Sequence, residues 1–333
     1  MIFITFIYTL LQMIILVTGG SGLIGQALRD FIKTKSSIDN WIFLSSKECN
    51  LLNYDETLKI LQNTQPDVVI HLAARVGGLY NNMNNNEAMY TDNMHMNLNI
   101  IEACEKTNVT RFIAVLSTCI FPDSPPMLPL TEEMIHAGPP HHSNEGYAMA
   151  KRMLEVHARL SQMETICLIP TNLYGPHDNF KIEDAHVIPA LIHKCYIAKQ
   201  TNQPFKVAGS GKAVRQFLYN EDMAKIIEWA VYKSIPSLSN NGSYNDLYHE
   251  SYICAPNESD EVTIEIVARI IAKTMTYEDK LQFDTSFQEG QYKKTASNKK
   301  LIDSMPSLTF SNFEEKLQTT IEWFINNYET LRK

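Results

Sequence analysis

Short apolar runs alternate with amphipathic stretches along the first half of the chain. Met13–Thr18 (MIILVT) leads directly into a glycine-rich turn and then into amphipathic residues up to about Lys35, which predicts a strand, a turn and a helix. The same pattern predicts strands at Trp41–Leu44, Asp67–Ala73, Phe112–Leu116 and Thr165–Ile169, and helices at Asp55–Asn63, Asn93–Lys106 and Tyr147–Gln162. Strands that alternate with helices indicate an α/β fold with a doubly wound parallel sheet.

The alternation weakens in the second half of the chain. After about Gly175 the apolar segments become short, and the last long pattern is an amphipathic helix predicted at Phe313–Tyr328. This change predicts a smaller C-terminal lobe that is partly helical. We therefore expect a first domain at residues 13–180 and a second, mainly substrate-binding domain at 181–333, with parts of 212–255 returning to the first.

Three segments interrupt the pattern. Residues 1–12 (MIFITFIYTLLQ) are apolar, but they have no basic residues or small-residue cleavage site and are too short to span a bilayer. We interpret them as an N-terminal extension and not as a membrane anchor. The asparagine-rich Asn81–Asn86 predicts a flexible loop, and the proline-rich Pro122–Asn144 predicts a long loop at the carboxyl side of the sheet, where ligands bind in such folds.

Charge and cysteine content narrow the class of protein. The 333 residues carry a net charge of -8, which argues against a nucleic-acid partner because domains that bind nucleic acid are normally basic. The six cysteines lie far apart and form neither a CxxC pair nor a metal-ligand spacing with histidine. We expect reduced thiols, no metal site, no membrane partner and a cytoplasmic location.

The turn TGGSGLIG places Gly19, Gly22 and Gly25 directly after a predicted strand and at the start of a predicted helix. Glycines let the backbone approach a pyrophosphate closely, and the N-terminus of the helix favours its negative charge. In this context the turn predicts a dinucleotide site in a Rossmann-type sheet.

The end of the second predicted strand bears on which dinucleotide is bound. An acidic residue at this point would hold a free ribose 2′-hydroxyl. The sequence there is FLSSKE, in which Ser45, Ser46 and Lys47 suit a 2′-phosphate, although Glu48 follows closely. The segment favours NADP(H) over NAD(H).

A tyrosine and a lysine four residues apart, Tyr147 and Lys151 in YAMAK, share one face of a predicted helix. We expect the ammonium group to lower the pKa of the phenol toward a range that is useful for proton transfer. Ser117 follows a predicted strand, and its hydroxyl can hydrogen-bond a substrate oxygen. Together with the glycine turn, this set resembles the extended short-chain dehydrogenase/reductase family, in which Ser, Tyr and Lys are catalytic.

Further stretches resemble the GDP-L-fucose synthase family, from Met13 to nearly the end of the chain. They are HLAARVGGLYNN (His71–Asn82), STCIFP (Ser117–Pro122), PTNLYGPHDNF (Pro170–Phe180) and HVIPALI (His186–Ile192). The resemblance implies a bifunctional enzyme that epimerises GDP-4-keto-6-deoxy-D-mannose at sugar positions 3 and 5. Reduction at position 4 by NADPH would then give GDP-L-fucose.

The resemblance also implies individual roles. Cys119 and His186 would move the protons at positions 3 and 5, since a thiol and an imidazole both titrate near neutrality. Arg215 would contact the GDP diphosphate, with Lys194 and Lys294 as further substrate contacts. The candidate cofactor contacts are Gly19, Gly20, Ser21, Gly22, Leu23, Ile24, Gly25, Ser46, Lys47, Lys151, Pro170, Asn172, Leu173 and His186. A homodimer is expected from the resemblance alone.

Two alternatives stay open at this point. One is another nucleotide-sugar enzyme on the same fold, yet the Asp-Glu pair of related 4,6-dehydratases is replaced here by Cys119 and Ile120, and Lys47 argues against the tightly held NAD of a 4-epimerase. The other is a catalytically silent NADP-sensing scaffold, which would have no need of Tyr147 and Lys151.

Overall fold

The computed structural model describes residues 12–234, 249–286 and 292–331, so most of the N-terminal extension, residues 1–11, lies outside the described residues. The strands are β1 (Ile14–Thr18), β2 (Asn40–Leu44), β3 (Val68–His71), β4 (Arg111–Val115), β5 (Glu164–Pro170), β6 (Asn172–Tyr174), β7 (Phe205–Ala208), β8 (Val214–Arg215), β9 (Phe217–Tyr219), β10 (His249–Cys254), β11 (Val262–Thr263) and β12 (Leu281–Asp284). The helices are α1 (Leu23–Lys33), α2 (Tyr54–Thr64), α3 (Leu79–Asn84), α4 (Asn86–Lys106), α5 (Glu145–Leu160), α6 (Val187–Gln200), α7 (Asn220–Tyr232), α8 (Ile264–Thr274), α9 (Lys299–Ser304) and α10 (Phe313–Asn326).

Six strands form the central sheet in the order β10-β5-β4-β3-β1-β2, and every neighbouring pair is parallel. In the centre, Leu16 of β1 pairs with Val69 of β3, and Val69 pairs with Phe112 of β4. Because all six strands run the same way, their carboxyl ends lie at one edge of the sheet, where α/β proteins bind ligands.

Alternate residues of each strand enter two separate apolar layers. Leu16 and Phe112 pack on the side of α4 and α5, whereas Ile15 and Ile113 pack on the side of α1 and α7. All four side chains are fully buried, as expected for large apolar residues in a sheet covered on both faces. The predicted doubly wound α/β fold is confirmed.

The prediction of a flexible loop at Asn81–Asn86 is wrong. These residues form most of α3 and the start of α4, which begins well before the predicted Asn93. Hydrogen bonds outweigh the weak helix propensity of asparagine here. The side-chain nitrogen of Asn81 donates to the carboxylate of Asp184 (2.9 Å). The side-chain nitrogen of Asn85 donates to the backbone carbonyl oxygen of Asn81 (3.1 Å), and that of Asn86 donates to the backbone carbonyl oxygen of His142 (3.0 Å).

The C-terminal lobe surrounds an apolar core of its own. Helices α6, α8 and α10 pack around aromatic side chains that include Phe180 and Phe324, whose ring centroids are 4.8 Å apart. The lobe is joined to the sheet by β6 and β9, which pair in parallel next to the carboxyl end of β5. The two lobes therefore meet at the edge of the sheet where ligands bind.

One fully buried glutamine holds this junction together. The Nε2 atom of Gln216 donates to the carbonyl oxygens of Pro256 (2.8 Å) and Ala296 (3.0 Å), and its Oε1 atom accepts from the backbone nitrogen of Ala296 (2.8 Å). Its own carbonyl oxygen accepts a hydrogen bond from the side chain of Asn172 (3.0 Å). Leu130 of the proline-rich loop hydrogen-bonds to both chain neighbours of Ala296. Gln216 thus connects the sheet, the C-terminal lobe and the loop.

Replacement of Gln216 by methionine should destabilise the protein, because it leaves buried backbone groups of Pro256 and Ala296 unpaired. Each such group costs about 1–3 kcal/mol, so we expect a loss of at least about 2 kcal/mol in the free energy of unfolding, measured with urea. Gln282→Met, at an exposed position of β12, is the control and should change stability by less than about 0.5 kcal/mol. Equal stability of the two variants would contradict this account.

Candidate active site

The glycine turn lies between β1 and α1 and permits no side chains where its backbone folds over itself. Gly19 has a φ of +69°, which L side chains rarely adopt, and a Cβ atom there would lie 2.7 Å from the backbone nitrogen of Ala73. A Cβ atom on Gly25 would lie 2.5 Å from the carbonyl oxygen of Gly19. The turn therefore holds the N-terminus of α1 close to the strand ends, in the arrangement that receives a pyrophosphate.

The segment after β2 forms a tight turn beside these glycines. The backbone nitrogen of Gly20 donates to the carbonyl oxygen of Leu44 (2.7 Å), which joins the two turns. Ser46 and Lys47 are exposed, whereas the carboxylate of Glu48 folds back onto the backbone nitrogen of Ser45 (2.6 Å). This hydrogen bond lowers the pKa of Glu48. The carboxylate is engaged within its own turn, and the hydroxyl and ammonium groups face solvent.

Ser117 and Cys119 follow β4 in a single 3₁₀ turn, Thr118–Ile120. The hydroxyl oxygen of Ser117 accepts a hydrogen bond from the backbone nitrogen of Cys119 (3.3 Å). Both side chains are half-buried, in contrast to the other five cysteines, which are buried. The turn therefore presents a hydroxyl and a thiol together at the edge of the sheet.

Tyr147 and Lys151 lie on the first two turns of α5. The Nζ atom of Lys151 donates to the carbonyl oxygen of Val115 (2.7 Å) and lies 5.9 Å from the centroid of the Tyr147 ring. Lys151 is 2% exposed, and burial lowers its pKa to about 8. Since Val115 is the last residue of β4, this hydrogen bond places the tyrosine next to the Ser117 turn.

The expected lowering of the Tyr147 pKa is wrong for this structure. Burial raises the pKa of the phenol, and the nearby Cys119 raises it further. The ammonium group of Lys151 does not outweigh burial, because it is bonded to Val115 instead of the phenolic oxygen. Tyr147 is therefore held in its protonated form.

His186 is the residue before α6 and is exposed at the surface of the lobe junction. Desolvation by the neighbouring protein lowers the pKa of its imidazole, although the residue as a whole is exposed. The preceding loop is anchored because the backbone nitrogen of Gly78 donates to the carbonyl oxygen of Asp184 (2.9 Å). Asn86, in turn, accepts a hydrogen bond from the backbone nitrogen of Gly146 (2.6 Å), next to Tyr147. The asparagine-rich segment thus hydrogen-bonds both to the loop before His186, through Asn81 and Asp184, and to the residue before Tyr147, through Asn86 and Gly146.

The three cations predicted to contact the substrate lie on different elements of the structure. Arg215, on β8, is half-buried and donates to the carbonyl oxygen of Tyr292 (3.4 Å). Lys294 is also half-buried, and its pKa is lowered by burial and by repulsion from Arg215, while Cys119 acts in the opposite direction. Lys294 therefore lies close enough to both Arg215 and the thiol of Cys119 for their charges to affect it. Lys194 is half-buried on α6, eight residues after His186.

A cavity of about 470 Å³ lies between the proline-rich loop and the segment that carries Lys294. Its wall includes Pro122, Leu128 and Tyr292. The predicted cofactor contacts Pro170, Asn172 and Leu173 lie separately, at the carboxyl end of β5 and in β6. Within the described ranges, no group of His, Cys, Asp and Glu side chains is arranged to hold a metal ion, and no helix is long and apolar enough to cross a membrane.

Sequence reasoning missed a buried chain of hydrogen bonds that links the glycine turn to α5. The Oγ1 atom of Thr18 lies 2.9 Å from Nδ1 of His71, and Nε2 of His71 lies 3.1 Å from Oδ1 of Asn97. The side-chain nitrogen of Asn97 then donates to the carbonyl oxygen of Ala150 (3.1 Å). The signal in the sequence is His71, a polar residue that ends the otherwise apolar run VVIH; Asn97 falls within the mixed sequence of α4 and carries no such signal.

Comparison of the sequence with known proteins shows the family of this chain. Residues 15–245 match the NAD dependent epimerase/dehydratase family. A GDP-L-fucose synthase from Dictyostelium discoideum is 45% identical over 324 residues, which cover 96% of this chain and 97% of that protein. A probable GDP-L-fucose synthase from Drosophila melanogaster is 39% identical over 334 residues, which cover 96% of this chain and 99% of that protein.

The chain belongs to the GDP-L-fucose synthase family.

A solved structure of a GDP-L-fucose synthetase from Naegleria fowleri bound to NADP agrees with this membership. It is 41% identical, superposes with a TM-score of 0.88, and covers 96% of this chain and 95% of that chain. The resemblance to the GDP-L-fucose synthase family that the sequence indicated is therefore confirmed. Ser117, Tyr147 and His186 lie inside the region matched by the broader epimerase/dehydratase family, whereas Lys294 lies beyond it.

Acidification should weaken the protein through His71. Burial, with a smaller contribution from the charge of Lys151, lowers the pKa of His71 to about 3, against about 6.5 when unfolded. As the pH falls, the unfolded chain takes up this proton before the folded chain does. The contribution of neutral His71 to the free energy of unfolding is therefore fully present above pH 6.5 and is lost as the pH falls toward 3. The loss approaches about 1.4 kcal/mol per pH unit.

Urea unfolding of wild type and His71→Gln between pH 6.5 and 4.5 measures this contribution. The variant should show a shallower fall in stability with acid, whereas His142→Gln, at an exposed histidine, should keep the wild-type slope. Parallel slopes for wild type and His71→Gln would show that His71 takes up its proton normally in the fold.

Proposed function

We propose that this chain converts GDP-4-keto-6-deoxy-D-mannose to GDP-L-fucose, by epimerisation at sugar positions 3 and 5 and NADPH-dependent reduction at position 4. The observation that carries the proposal is the gathering of a hydroxyl, a thiol, a phenol and an ammonium group beside the end of β4. The relatives over nearly the full chain are named for the same activity. An enzyme that moves protons and reduces a ketone needs these groups together.

The residues around the glycine turn fit a nicotinamide dinucleotide with a 2′-phosphate. The turn from Gly19 to Gly25 would receive the pyrophosphate, since a side chain at either glycine would collide with the backbone. Ser46 and Lys47 are exposed beside it and can donate to the 2′-phosphate. When bound, NADPH supplies the hydride for position 4. The related structure from Naegleria fowleri is described as bound to NADP.

Three residues act on the ketone oxygen at position 4. Tyr147 donates its phenolic proton to this oxygen as the ketone becomes an alcohol, and its raised pKa keeps that proton in place beforehand. The hydroxyl of Ser117 hydrogen-bonds the same oxygen. Lys151, fixed by the carbonyl of Val115, supplies positive charge next to the tyrosine as the phenolate forms.

Epimerisation needs a base and an acid on opposite faces of the sugar. Hydrogens on the carbons beside the ketone are acidic because the electron pair left behind delocalises onto the ketone oxygen. A proton delivered to the opposite face then restores the carbon–hydrogen bond with inverted configuration. We assign these transfers to Cys119 and His186, which lie half-buried beside Tyr147 and exposed at the lobe junction, respectively.

The half-buried cations suit the GDP diphosphate. Arg215 and Lys294 repel each other, and burial lowers the pKa of each. A diphosphate between them would relieve this repulsion, and the planar guanidinium of Arg215 matches phosphate oxygens. Lys194, on α6, lies on the same lobe and is proposed as a further contact with the nucleotide.

The proposal includes a homodimer and a cytoplasmic location. The outer surfaces of α4 and α5 expose Tyr90, Leu98 and Leu160, which supports association through these two helices. Sedimentation equilibrium of wild type and Leu98→Glu tests this directly, because a charge in the contact should favour monomers.

Incubation of the protein with GDP-4-keto-6-deoxy-D-mannose and NADPH, followed by identification of the sugar product, tests the proposed function as a whole. GDP-L-fucose is the expected product. Absence of NADPH oxidation, or a product that keeps the original configuration at positions 3 and 5, would overturn the assignment.

Tyr147→Phe should reduce the rate of NADPH oxidation by about 10²–10⁴-fold, because only the positioned proton donor is removed. The fold and the affinity for NADPH should be preserved, as measured by circular dichroism and fluorescence titration. Tyr90→Phe, which removes an exposed hydroxyl from α4, should retain full activity. Undiminished turnover of a folded Tyr147→Phe protein would remove this residue from the mechanism.

Cys119→Ser should impair epimerisation more than hydride transfer, since a hydroxyl is a far weaker acid than a thiol at neutral pH. Exchange of the hydrogens at positions 3 and 5 with heavy water should slow by about 10²-fold or more, while NADPH oxidation continues at a reduced rate. Thr118→Ser, in the same turn, serves as the control and should exchange normally. If the exchange rate in Cys119→Ser equals that of wild type, the thiol of Cys119 has a packing role and does not transfer these protons.

A further inference from the structure

Arg29, in the middle of α1, lies over the aromatic ring of Phe43 near the end of β2. The guanidinium carbon is 4.7 Å from the centroid of the ring, a distance typical of a cation–π contact. The side chain is half-buried, and its Nε atom is buried without a hydrogen bond to any residue that the structure describes. Stacking on Phe43 therefore holds the guanidinium in place, while its Nε atom has no hydrogen-bond acceptor among the described residues.

The stacked guanidinium borders the turn that follows β2. Its charge reaches the carboxyl group of Glu48 and contributes to the lowered pKa of that group. Glu48 itself is turned toward the backbone nitrogen of Ser45 (2.6 Å) and leaves the outer side of the turn to Ser46 and Lys47. Arg29 and Lys47 thus both lie at the turn where the adenosine ribose of a dinucleotide is bound in this fold.

The charges of this turn require a second cation if it is to select a phosphate. Lys47 and Glu48 cancel each other, and a phosphate monoester brings a charge between about −1.5 and −2 at neutral pH. With Lys47 alone, the pocket would therefore offer little net attraction to a 2′-phosphate. Arg29 changes the local balance to net positive, and its five donors in a planar fork match phosphate oxygens.

We propose that Arg29 is a specificity-determining residue that binds the 2′-phosphate of NADP(H), held in position by its stacking on Phe43. The inference rests on the proposed function, because it concerns the cofactor of that reaction. Arg29 acts together with Ser46 and Lys47: these two donate from the exposed side of the turn, and the guanidinium donates from the α1 side.

The test is the binding of four nucleotides to the purified full-length chain: NADPH, NADH, 2′-AMP and 5′-AMP. In Arg29→Met, which keeps an apolar stem over Phe43, affinity for NADPH and 2′-AMP should fall by about 10–100-fold. Affinity for NADH and 5′-AMP should change by less than about twofold. Arg29→Lys should give an intermediate loss for NADPH, because the charge is kept while the planar fork is lost.

Lys33→Met is the matched control. Lys33 is one turn further along α1 and is exposed, with its ammonium group bonded to Asp30 (2.9 Å). Its removal changes the charge of the helix by the same amount and should leave the preference for NADPH unchanged. If Lys33→Met and Arg29→Met lose the same amount of NADPH affinity, the effect arises from the net charge of the helix and not from a specific contact, and the inference is overturned.

Two other results are decisive. If Arg29→Met binds NADPH as tightly as wild type, or loses NADH and NADPH affinity to the same extent, Arg29 does not select the 2′-phosphate, while the proposed function stands. If wild type binds neither NADPH nor NADH, the proposed function fails together with the inference.

Discussion

The imidazole of His71 lies between Thr18, which ends the first strand, and Asn97, which binds the backbone of α5 at Ala150. Because the amide nitrogen of Asn97 donates to that backbone, its oxygen faces His71 and must accept a hydrogen bond from Nε2. In the neutral imidazole the single proton therefore lies on Nε2, and Nδ1 accepts a hydrogen bond from the hydroxyl of Thr18. Burial keeps His71 in this state, and the glycine turn and the helix of Tyr147 are thereby held in one arrangement.

A second set of hydrogen bonds extends this arrangement to the other lobe. The asparagine-rich segment folds into helix because Asn81 bonds to Asp184 and Asn86 bonds to the loop before α5. The loop of His186 and the start of the Tyr147 helix are therefore attached to the same short stretch of chain. Gln216 performs a similar role for the cations, since it fixes the segment that follows Lys294. The buried side chain of Gln216, whose oxygen and nitrogen are both hydrogen-bonded, defines the geometry of this segment more strictly than apolar contacts would.

Burial also determines the charge states in the site. Burial lowers the pKa of Lys151 to about 8, close to neutral pH. Tyr147 keeps its proton because desolvation raises the pKa of its phenol. Burial disfavours the charged forms of both Arg215 and Lys294, and a diphosphate bound between them as proposed would offset this cost.

The sequence by itself predicted five of the six strands of the central sheet, the main helices between them and the groups at the strand ends, because apolar periodicity and glycine spacing are local properties. The sixth strand, β10, was not predicted. It also indicated Tyr147 and Lys151 as a pair, since residues four apart share a helix face. Only the tertiary structure decided that Lys151 bonds to Val115 and leaves the pKa of Tyr147 raised. In the same way, the helical state of Asn81–Asn86 and the position of Arg29 over Phe43 depend on partners distant in the sequence, which no local pattern specifies.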